Sequence, residues 1–507
     1  MTLRHRSVNP MRSVGFLLLV GALAFSSFFI HPLFATPKQL RPNIILVMTD
    51  DQGYGEMSCH GNPFLKTPNL DRLHAQSVRL TDFHVSPTCA PTRAALLTGR
   101  HEFRTGVTHT IFERERPNLG LTLLPRYLQR AGYQTGIFGK WHLGDELPYQ
   151  PENRGFGEVF IHGGGGIGQT YPGSCGDAPS NSYHRPIVSH NQKFVRTDGY
   201  CTDVFIDASI RWMAAQHSRG APFFAYITPN APHAPLVSPG AEWEAPYRNR
   251  GLSDLTVRYY AMIAHFDAAL GRLMDWLRME GLERDTLLIF MTDNGHSLPD
   301  AYNSGMRGMK GTPYQGGTRV PSFWRWLGHF PEGLDIPALT AHLDVLPTLL
   351  ELTEISVPRA ERKGWEGRSL LPLFRNPRTT WANRYLITHA GRWEAGHMEE
   401  HRYQQCSIRD QRFRWVNGEA LYDLANDPGE SRNVATEYPR VVARLSRIYS
   451  DWWVGIKPAA QQNEWVRGPS TNPFKERYWQ QEGGAPEAWM KDRMNPDYKF
   501  DPERPPM

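Results

Sequence analysis

Short runs of consecutive apolar residues alternate along the chain with stretches in which apolar residues recur every third or fourth position. Four runs predict strands buried on both faces: residues 43–49, 133–138, 223–228 and 287–292. Helical spacing forms one apolar stripe at Leu255, Tyr259, Met262, Phe266, Leu270 and Leu273, and a further helix is predicted over residues 123–131. This alternation predicts an α/β fold with a large, mostly parallel or mixed sheet flanked by helices.

The pattern changes near residue 380. Residues 406–416 alternate between polar and apolar, Asn417-Gly418 is a typical hairpin turn, and residues 420–424 resume the alternation. With a helix predicted over residues 440–453, this region predicts a smaller C-terminal antiparallel α+β subdomain. From residue 457 onward there is no periodicity, and the abundant aromatic residues favour an extended tail that wraps around the body.

The N-terminus carries arginines and no acid, followed by an uncharged run over residues 14–30. This pattern predicts a signal peptide over residues 1–35, with a retained membrane anchor as the less favoured alternative, so we expect a periplasmic or secreted protein. The predicted organisation is then a catalytic domain over residues 36–379, the C-terminal subdomain over residues 380–456 and the tail over residues 457–507.

Composition supports a folded, exported chain. Its 507 residues are 40% hydrophobic and only 21% charged, which argues against disorder. The formal net charge of +5 includes three arginines of the predicted signal peptide, and so weak a surplus does not indicate a nucleic-acid partner. Five cysteines are an odd number, and an oxidising compartment permits disulfides among them.

Oxygen-bearing side chains follow two predicted strands. Asp50 and Asp51 close the first, and Asp293 and Asn294 close the strand that ends at residue 292. Ligands of open parallel sheets bind beyond the carboxyl ends of the strands, and carboxylate and amide oxygens suit Ca²⁺ or Mg²⁺. The alternative is that each pair only forms a turn.

A cysteine stands at the predicted start of an apolar helix, in the segment Cys89-Ala90-Pro91-Thr92-Arg93 that leads to Thr98-Gly99. A helix N-terminus lowers the pKa of a thiol and attracts anions, and Arg93 adds a fixed positive charge one turn later. The alternative is an ordinary buried cysteine.

Further basic residues are candidates for anion binding: Lys140 and His142 after a strand, His233 in a proline-flanked turn, and Lys310 in a glycine-rich loop. Each one alone is more typical of a surface residue than of a catalyst. The run at residues 163–166 is not a phosphate loop, because no Lys-Ser/Thr ends it, so it is either a flexible active-site rim or without function.

Taken together, these segments resemble the type I, formylglycine-dependent sulfatases, an arylsulfatase-like family of the alkaline-phosphatase-like superfamily. The resemblance rests on Cys89-Ala90-Pro91-Thr92-Arg93 and on Gly132-Tyr133-Gln134-Thr135 leading to Gly139-Lys140-Trp141-His142. It extends from about residue 42 to about residue 433. The resemblance implies the fold of this family and the hydrolysis of sulfate esters.

The resemblance also implies a nucleophile and a metal. Cys89 would be oxidised by a formylglycine-generating enzyme to Cα-formylglycine, whose hydrate carries the attacking hydroxyl. The cation would be Ca²⁺ rather than Mg²⁺, and its ligands would be Asp50, Asp51, Asp293, Asn294 and the modified Cys89.

The same resemblance assigns roles to the basic residues. Lys140, His142 and Lys310 would neutralise the sulfate oxygens, and Lys140, Lys310 and His233 would bind the substrate. His233 or Lys310 would protonate the leaving oxygen, and His142 would act as the base that allows sulfate to leave. Arg93 would hold the modified residue and the metal-bound carboxylates in place.

The expected substrate is an exported sulfated carbohydrate or an aryl sulfate, with neither nucleic acid nor a stable membrane partner. Two alternatives stay open: a phosphonate monoester or phosphodiester hydrolase of the same fold, and an inactive glycan-binding protein in which Cys89 is not matured because Thr92 replaces the commoner serine. If Cys89 is set aside as the nucleophile, Cys59, Cys175, Cys201 and Cys406 remain as an even set.

Overall fold

The computed structural model describes residues 41–169, 175–466 and 472–482, and from Arg41 onward the chain forms one compact unit. The predicted signal peptide lies outside the described residues and stays a prediction. No helix within the described ranges combines the length and the apolar composition that crossing a bilayer requires.

The described residues form strands in three sheets. The strands are β1 Asn43–Thr49, β2 Val78–Leu80, β3 Phe83–His84, β4 Gln134–Lys140, β5 Glu158–His162, β6 Ile187–His190, β7 Lys193–Arg196, β8 Phe223–Thr228, β9 Thr286–Thr292, β10 Ser322–Arg325, β11 Leu334–Ile336, β12 Thr340–Ala341, β13 Leu386–His389, β14 Cys406–Arg409, β15 Phe413–Val416 and β16 Ala420–Asp423.

The α-helices are α1 Pro68–Ala75, α2 Cys89–Thr98, α3 Leu124–Arg130, α4 Pro151–Arg154, α5 Cys201–Ser218, α6 Ala241–Glu244, α7 Asp254–Met279, α8 Gln315–Thr318, α9 Val345–Leu352, α10 Arg359–Arg362, α11 Leu371–Arg375, α12 Pro439–Ala460 and α13 Pro473–Glu482. Short 3-10 turns lie at Ser58–His60, Glu102–Thr105, Leu147–Tyr149, His342–Asp344 and Met398–His401.

The large sheet has ten strands in the order β11-β2-β10-β9-β1-β8-β4-β5-β6-β7. Its five central strands, from β9 to β5, are parallel, and antiparallel pairs flank them on both sides, which confirms the predicted mixed sheet. Thr49 pairs with Thr292, and Gly139 pairs with Thr228. The carboxyl ends of β1, β9, β4 and β8 therefore lie along one edge.

Helices cover both faces of this sheet because its central strands are continuous apolar runs, whose side chains must be buried on either side. On β1, Ile44, Leu46 and Met48 pack in the core that also contains residues of α2, α3 and α9. Ile45 and Val47 point to the opposite core, with residues of α1, α5 and α7. One prediction for α7 is wrong: Leu255, placed on the apolar stripe, is 52% exposed, because the buried stripe begins one turn further into the helix.

The C-terminal part contains the predicted antiparallel sheet, in the order β13-β14-β15-β16, with α12 packed against it. The run at residues 406–416 is two strands rather than one, because β14 ends at Arg409 and β15 begins at Phe413. The predicted turn is present, with positive φ angles at Asn417 and Gly418.

The tail prediction needs correction in its described part. Residues 457–460 complete α12, and α13 is helical rather than extended, with Pro473 at its first position. The apolar side chains of α13 explain this, because Phe474 and Tyr478 pack edge-on against Phe194 of β7. Trp465 is 70% exposed, with the edge of its indole near Gly396.

The cysteines are unpaired. Cys59, Cys89, Cys175, Cys201 and Cys406 are all free thiols. The four cysteines other than Cys89 therefore form no disulfide with one another. All of the thiols except that of Cys59 are buried in the packed interior.

Candidate active site

The acidic residues predicted from the strand ends meet as expected. Asp50 and Asp51 follow β1, Asp293 and Asn294 follow β9, and all four side chains are fully buried. The backbone N–H of Asp51 donates to Oδ1 of Asp293 (3.1 Å), and Nδ2 of Asn294 donates to Oδ1 of Asp51 (2.8 Å). These bonds join the two strand ends into one cluster of oxygen atoms.

Two oxygens of this cluster lack partners. Oδ1 of Asp50 and Oδ1 of Asn294 are buried and accept no hydrogen bond from any residue that the structure describes. An unsatisfied buried acceptor is costly unless a ligand completes it. Potential ligand atoms of Asp50, Asp51, Cys89 and His233 also lie within 4.8 Å of one another. The donor set fits a hard divalent cation, which prefers oxygen ligands.

Cys89 is the first residue of α2, as predicted, and this helix is buried along its whole length. The helix ends at Gly99, whose φ of 64° is left-handed. Burial alone would raise the pKa of the Cys89 thiol, but the charges of Lys140 and Lys310 lower it to about 6. The N-terminus of α2 thus presents its first side chain to the positive charges of two lysines.

Arg93, one turn along α2, is fully buried and ties the helix to the sheet. Its Nη1 donates to the backbone oxygen of Lys140 (3.0 Å), and its Nη2 donates to Oδ2 of Asp293 (2.9 Å). The same Nη2 lies 3.9 Å from Oδ2 of Asp50. Arg93 therefore fixes the relative positions of α2, β4 and the acidic cluster.

The basic residues predicted from sequence converge on the carboxylates. Nζ of Lys140 donates to Oδ2 of Asp50 (2.6 Å), and Nζ of Lys310 lies 2.6 and 2.7 Å from the two carboxylate oxygens of Asp51. Nε2 of His233 is 3.7 Å from Oδ2 of Asp51. In the cluster, the two lysines and Arg93 balance three carboxylates, so a bound dication would make the site positive and attractive to an anion.

The ionisation of this cluster follows from its charges. Burial would raise the pKa of Asp51, but Lys310 and His233 hold it below its ordinary value. Burial and the neighbouring Asp50 raise the pKa of Asp293 to about 6. Burial would lower the pKa of His233, but Asp51 and Asp50 raise it, which favours the protonated imidazolium.

His142 has the opposite character. It follows β4 with a left-handed φ of 58°, and its Nε2–H donates to the backbone oxygen of Thr110 (2.8 Å). This bond leaves Nδ1 with a lone pair, and Nδ1 is buried with no partner among the described residues. Burial and the charge of Lys140 hold the pKa of His142 well below its ordinary value, so its imidazole is neutral.

The glycine run at residues 163–166 lies against these histidines, which agrees with the predicted active-site rim. A Cβ at Gly165 would lie 3.1 Å from Cε1 of His142, and one at Gly166 would lie 2.8 Å from Nδ1 of His233. Glycine is required here because any side chain would displace one of the two imidazoles.

Supporting residues of the site escape sequence reasoning. The hydroxyl of Tyr259 donates to the backbone oxygen of Asp51 (2.6 Å), although its spacing only marks it as part of an apolar stripe. Oγ1 of Thr228 donates to the backbone oxygen of Lys140 (2.8 Å). Thr228 could be found from sequence, because it lies at the end of a predicted strand. Nothing in the sequence indicates that the carbonyl of Thr110 orients His142.

Comparison with known proteins agrees with this geometry. The model of the sulfatase family matches residues 42–355, and the model described as N-sulphoglucosamine sulphohydrolase, C-terminal, matches residues 309–450. Arylsulfatase J of Mus musculus is 27% identical over 91% of this chain and 82% of its own length. Arylsulfatase A of Homo sapiens is 29% identical over 80% of this chain and 87% of its own length.

Solved structures share the fold. Ps i-CgsB in complex with k-i-k-neocarrahexaose has a TM-score of 0.74 at 25% identity, covering 91% of this chain and 98% of that chain. A protein in complex with its substrate D-glucosamine-2-N,6-O-disulfate has a TM-score of 0.62 at 21% identity, covering 84% and 100%. Phosphonate monoester hydrolase of Agrobacterium radiobacter has a TM-score of 0.57 at 21% identity, covering 83% and 96%.

Proposed function

This chain belongs to the sulfatase family, and from that premise we propose that it hydrolyses sulfate esters with a Cα-formylglycine made from Cys89 and a bound Ca²⁺. One observation carries the proposal: Cys89 stands at the N-terminus of a buried helix, within 4.8 Å of potential ligand atoms of Asp50, Asp51 and His233. A residue that is both nucleophile and metal ligand requires this position.

Asp50, Asp51, Asp293 and Asn294 would hold the cation. The unpartnered oxygens of Asp50 and Asn294 support this assignment, and a set of four side-chain oxygens favours Ca²⁺ over Mg²⁺, which usually keeps several waters. When bound, the cation supplies positive charge that orients and polarises a sulfate oxygen. Arg93 keeps Asp293 in place through its 2.9 Å ion pair.

The hydrate of a formylglycine at position 89 would supply one hydroxyl for attack on sulfur. Its second hydroxyl would lose a proton as the carbon–oxygen bond to sulfate breaks and the aldehyde re-forms. The neighbouring residues suit that chemistry. Lys140 and Lys310 both lower the pKa of the Cys89 thiol, so their ammonium groups lie close to its side chain. They are therefore placed to stabilise the sulfate oxygens as negative charge redistributes over them.

The two histidines suit opposite proton transfers. His233 is held towards its protonated form by Asp51 and Asp50, so it can protonate the leaving oxygen, with Lys310 as the other candidate. His142 is neutral, with its lone pair on Nδ1, so that atom can accept the proton of the second hydroxyl as sulfate leaves. The two environments shift the pKa values in opposite directions, which suits His233 to act as the acid and His142 as the base.

A sulfated carbohydrate is the proposed natural substrate. The support is that structures of the same fold were solved with a saccharide and with a disulfated glucosamine. The predicted signal peptide places the enzyme in the periplasm or outside the cell, where it would meet such polymers after a formylglycine-generating enzyme had acted on Cys89.

Steady-state rates on an aryl sulfate and on a phosphonate monoester with the same leaving group test the proposed reaction. We expect a larger kcat/KM for the sulfate, because the sulfatase family model matches the chain and Lys140, Lys310 and His233 converge on the candidate metal site. A larger kcat/KM for the phosphonate would replace the proposal with the hydrolase whose fold this chain shares. Turnover of neither substrate would favour the inactive glycan-binding alternative.

A further inference from the structure

A second group of metal-ligating side chains lies outside the acidic cluster. Cys59, His60 and His74 each offer a ligand atom, and these three atoms lie within 4.8 Å of one another. Cys59 and His60 belong to the 3-10 turn Ser58–His60, and His74 belongs to α1. All three residues are partly exposed, so an ion can reach them from solvent.

We infer that Cys59, His60 and His74 bind one borderline transition-metal ion such as Zn²⁺, with solvent as the fourth ligand. One thiolate and two imidazoles select such an ion over Ca²⁺ or Mg²⁺, which prefer oxygen. The inference does not depend on the proposed sulfate chemistry, because it uses none of the residues of the active site.

His60 is oriented as metal-bound histidines are. Its Nδ1–H donates to the backbone oxygen of Tyr54 (2.7 Å), which leaves the lone pair on Nε2. The ring stacks on Tyr54, with 3.9 Å between the ring centroids, and meets Phe323 edge-on. Burial lowers the pKa of His60 to about 4, so the ring is neutral and able to bind a metal at neutral pH.

The turn that carries Cys59 is held rigidly by Asp71. One oxygen of this carboxylate accepts the backbone N–H of Cys59 (2.9 Å), and the other accepts Oγ–H of Ser58 (2.7 Å). Burial and Asp71 raise the pKa of the Cys59 thiol, so without metal it keeps its proton. Metal binding would form the sulfur–metal bond and release that proton to solvent.

Charges around the group do not prevent cation binding. Arg79 lies 3.4 Å from Nδ1 of His74, but it forms an ion pair with Asp335 (2.6 Å). The guanidinium of Arg319 stacks over Tyr54 and donates to the backbone oxygen of Thr81 (2.6 and 2.9 Å). Asp71, Asp335 and a bound thiolate would place three negative charges beside the two arginines, which leaves an excess that favours a cation.

The required movement is small. Ligand atoms of a tetrahedral Zn²⁺ site lie about 3.3–3.6 Å apart, as follows from its bond lengths. The three ligand atoms already lie within 4.8 Å of one another, so they need to approach by little more than about 1 Å. The partly exposed imidazole of His74, which packs edge-on against Phe323 and lies 3.4 Å from Arg79, is the ligand that would rotate. The ion would then join the turn after the Asp50-Asp51 loop to α1.

Cobalt(II) absorption tests the inference, with Cys89→Ala as the parent protein so that no thiol remains in the active site. We expect a thiolate-to-cobalt charge-transfer band that saturates at one equivalent, persists in excess Ca²⁺ and disappears when Zn²⁺ displaces the cobalt. Adding Cys59→Ser should abolish the band. Adding His74→Ala, a partly exposed position, should weaken cobalt binding at least about tenfold, as loss of one ligand does.

The matched control is Cys406→Ser in the same parent, which removes a free thiol far along the chain and should leave the band unchanged. Absence of the band in the parent protein, or a band of full strength after His74→Ala, would overturn the inference. So would loss of the band in Cys406→Ser with retention in Cys59→Ser. None of these outcomes involves turnover, so failure here is distinct from failure of the proposed reaction.

Discussion

The Cys89→Ala variant is expected to lose turnover of sulfate esters by at least about 10³-fold, because it removes the side chain from which the nucleophile is made. The loss should appear in kcat, since Lys140 and Lys310 remain to bind the anion. Steady-state kinetics on an aryl sulfate measures it, with circular dichroism to confirm folding.

Cys406→Ala is the matched control. Cys406 is also a buried free thiol, but it lies on β14 in the C-terminal sheet. The control should keep kcat within about twofold, because the thiol of Cys406 hydrogen-bonds the backbone oxygen of Arg402 in the C-terminal part and contacts no residue of the candidate site among those that the structure describes. Full turnover in Cys89→Ala would contradict the proposed nucleophile, whatever the control shows.

The second large effect is expected from the Asp293→Ala, Asn294→Ala double variant. It removes two of the four proposed oxygen ligands, so kcat should fall at least about 10²-fold, and Ca²⁺ should no longer raise the melting temperature. Activity assays and thermal unfolding with Ca²⁺ and with a chelator measure the two effects. Wild-type kcat in this variant would contradict the metal assignment.

Asp293 also pairs with the buried Arg93, so its loss leaves an unpaired charge and lowers the free energy of unfolding. Asn294→Ala alone keeps that ion pair and removes one unpartnered oxygen, and it should still weaken the Ca²⁺ effect. Asp275→Asn, which removes a partly exposed carboxylate far from the cluster, is the control that should keep both the activity and the effect of Ca²⁺.

The central fold could be predicted from sequence because its strands are continuous apolar runs. The runs at residues 43–49 and 223–228 match β1 and β8 residue for residue. The turn at residues 410–412 is hidden by neighbours that continue the alternation, so one predicted strand is two. The sequence does not predict helix α13, because its aromatic residues are ordered by contacts with β7, which lies far away in sequence.

The candidate site divides in the same way. The sequence predicts that four side chains lie close together, because parallel strands end at one edge of a sheet. These are Asp50, Asp51, Asp293 and Asn294. The sequence could not predict that Nδ1 is the basic atom of His142, because this depends on a hydrogen bond to a backbone carbonyl 32 residues away. The proximity of His74 to Cys59 likewise depends on how α1 docks on the turn before it.

Charge balance would make the metal-loaded site selective for anions. Three buried carboxylates meet Lys140, Lys310, Arg93 and His233, whose imidazolium form the carboxylates favour, so the residues alone carry at most a small positive charge. A divalent cation would add two positive charges, and a sulfate monoester, with one negative charge, would reduce the excess. Substrate and cation are therefore expected to bind cooperatively, each favouring the other.

Peptide mass spectrometry across Cys89, on protein purified from its native host, tests the central claim most directly. We expect a peptide whose mass is lower by the difference between a cysteine thiol and an aldehyde, with an adduct after treatment with a carbonyl-reactive hydrazide. A Cys89 peptide carrying only an intact thiol or a disulfide, in protein that turns over sulfate esters, would contradict it.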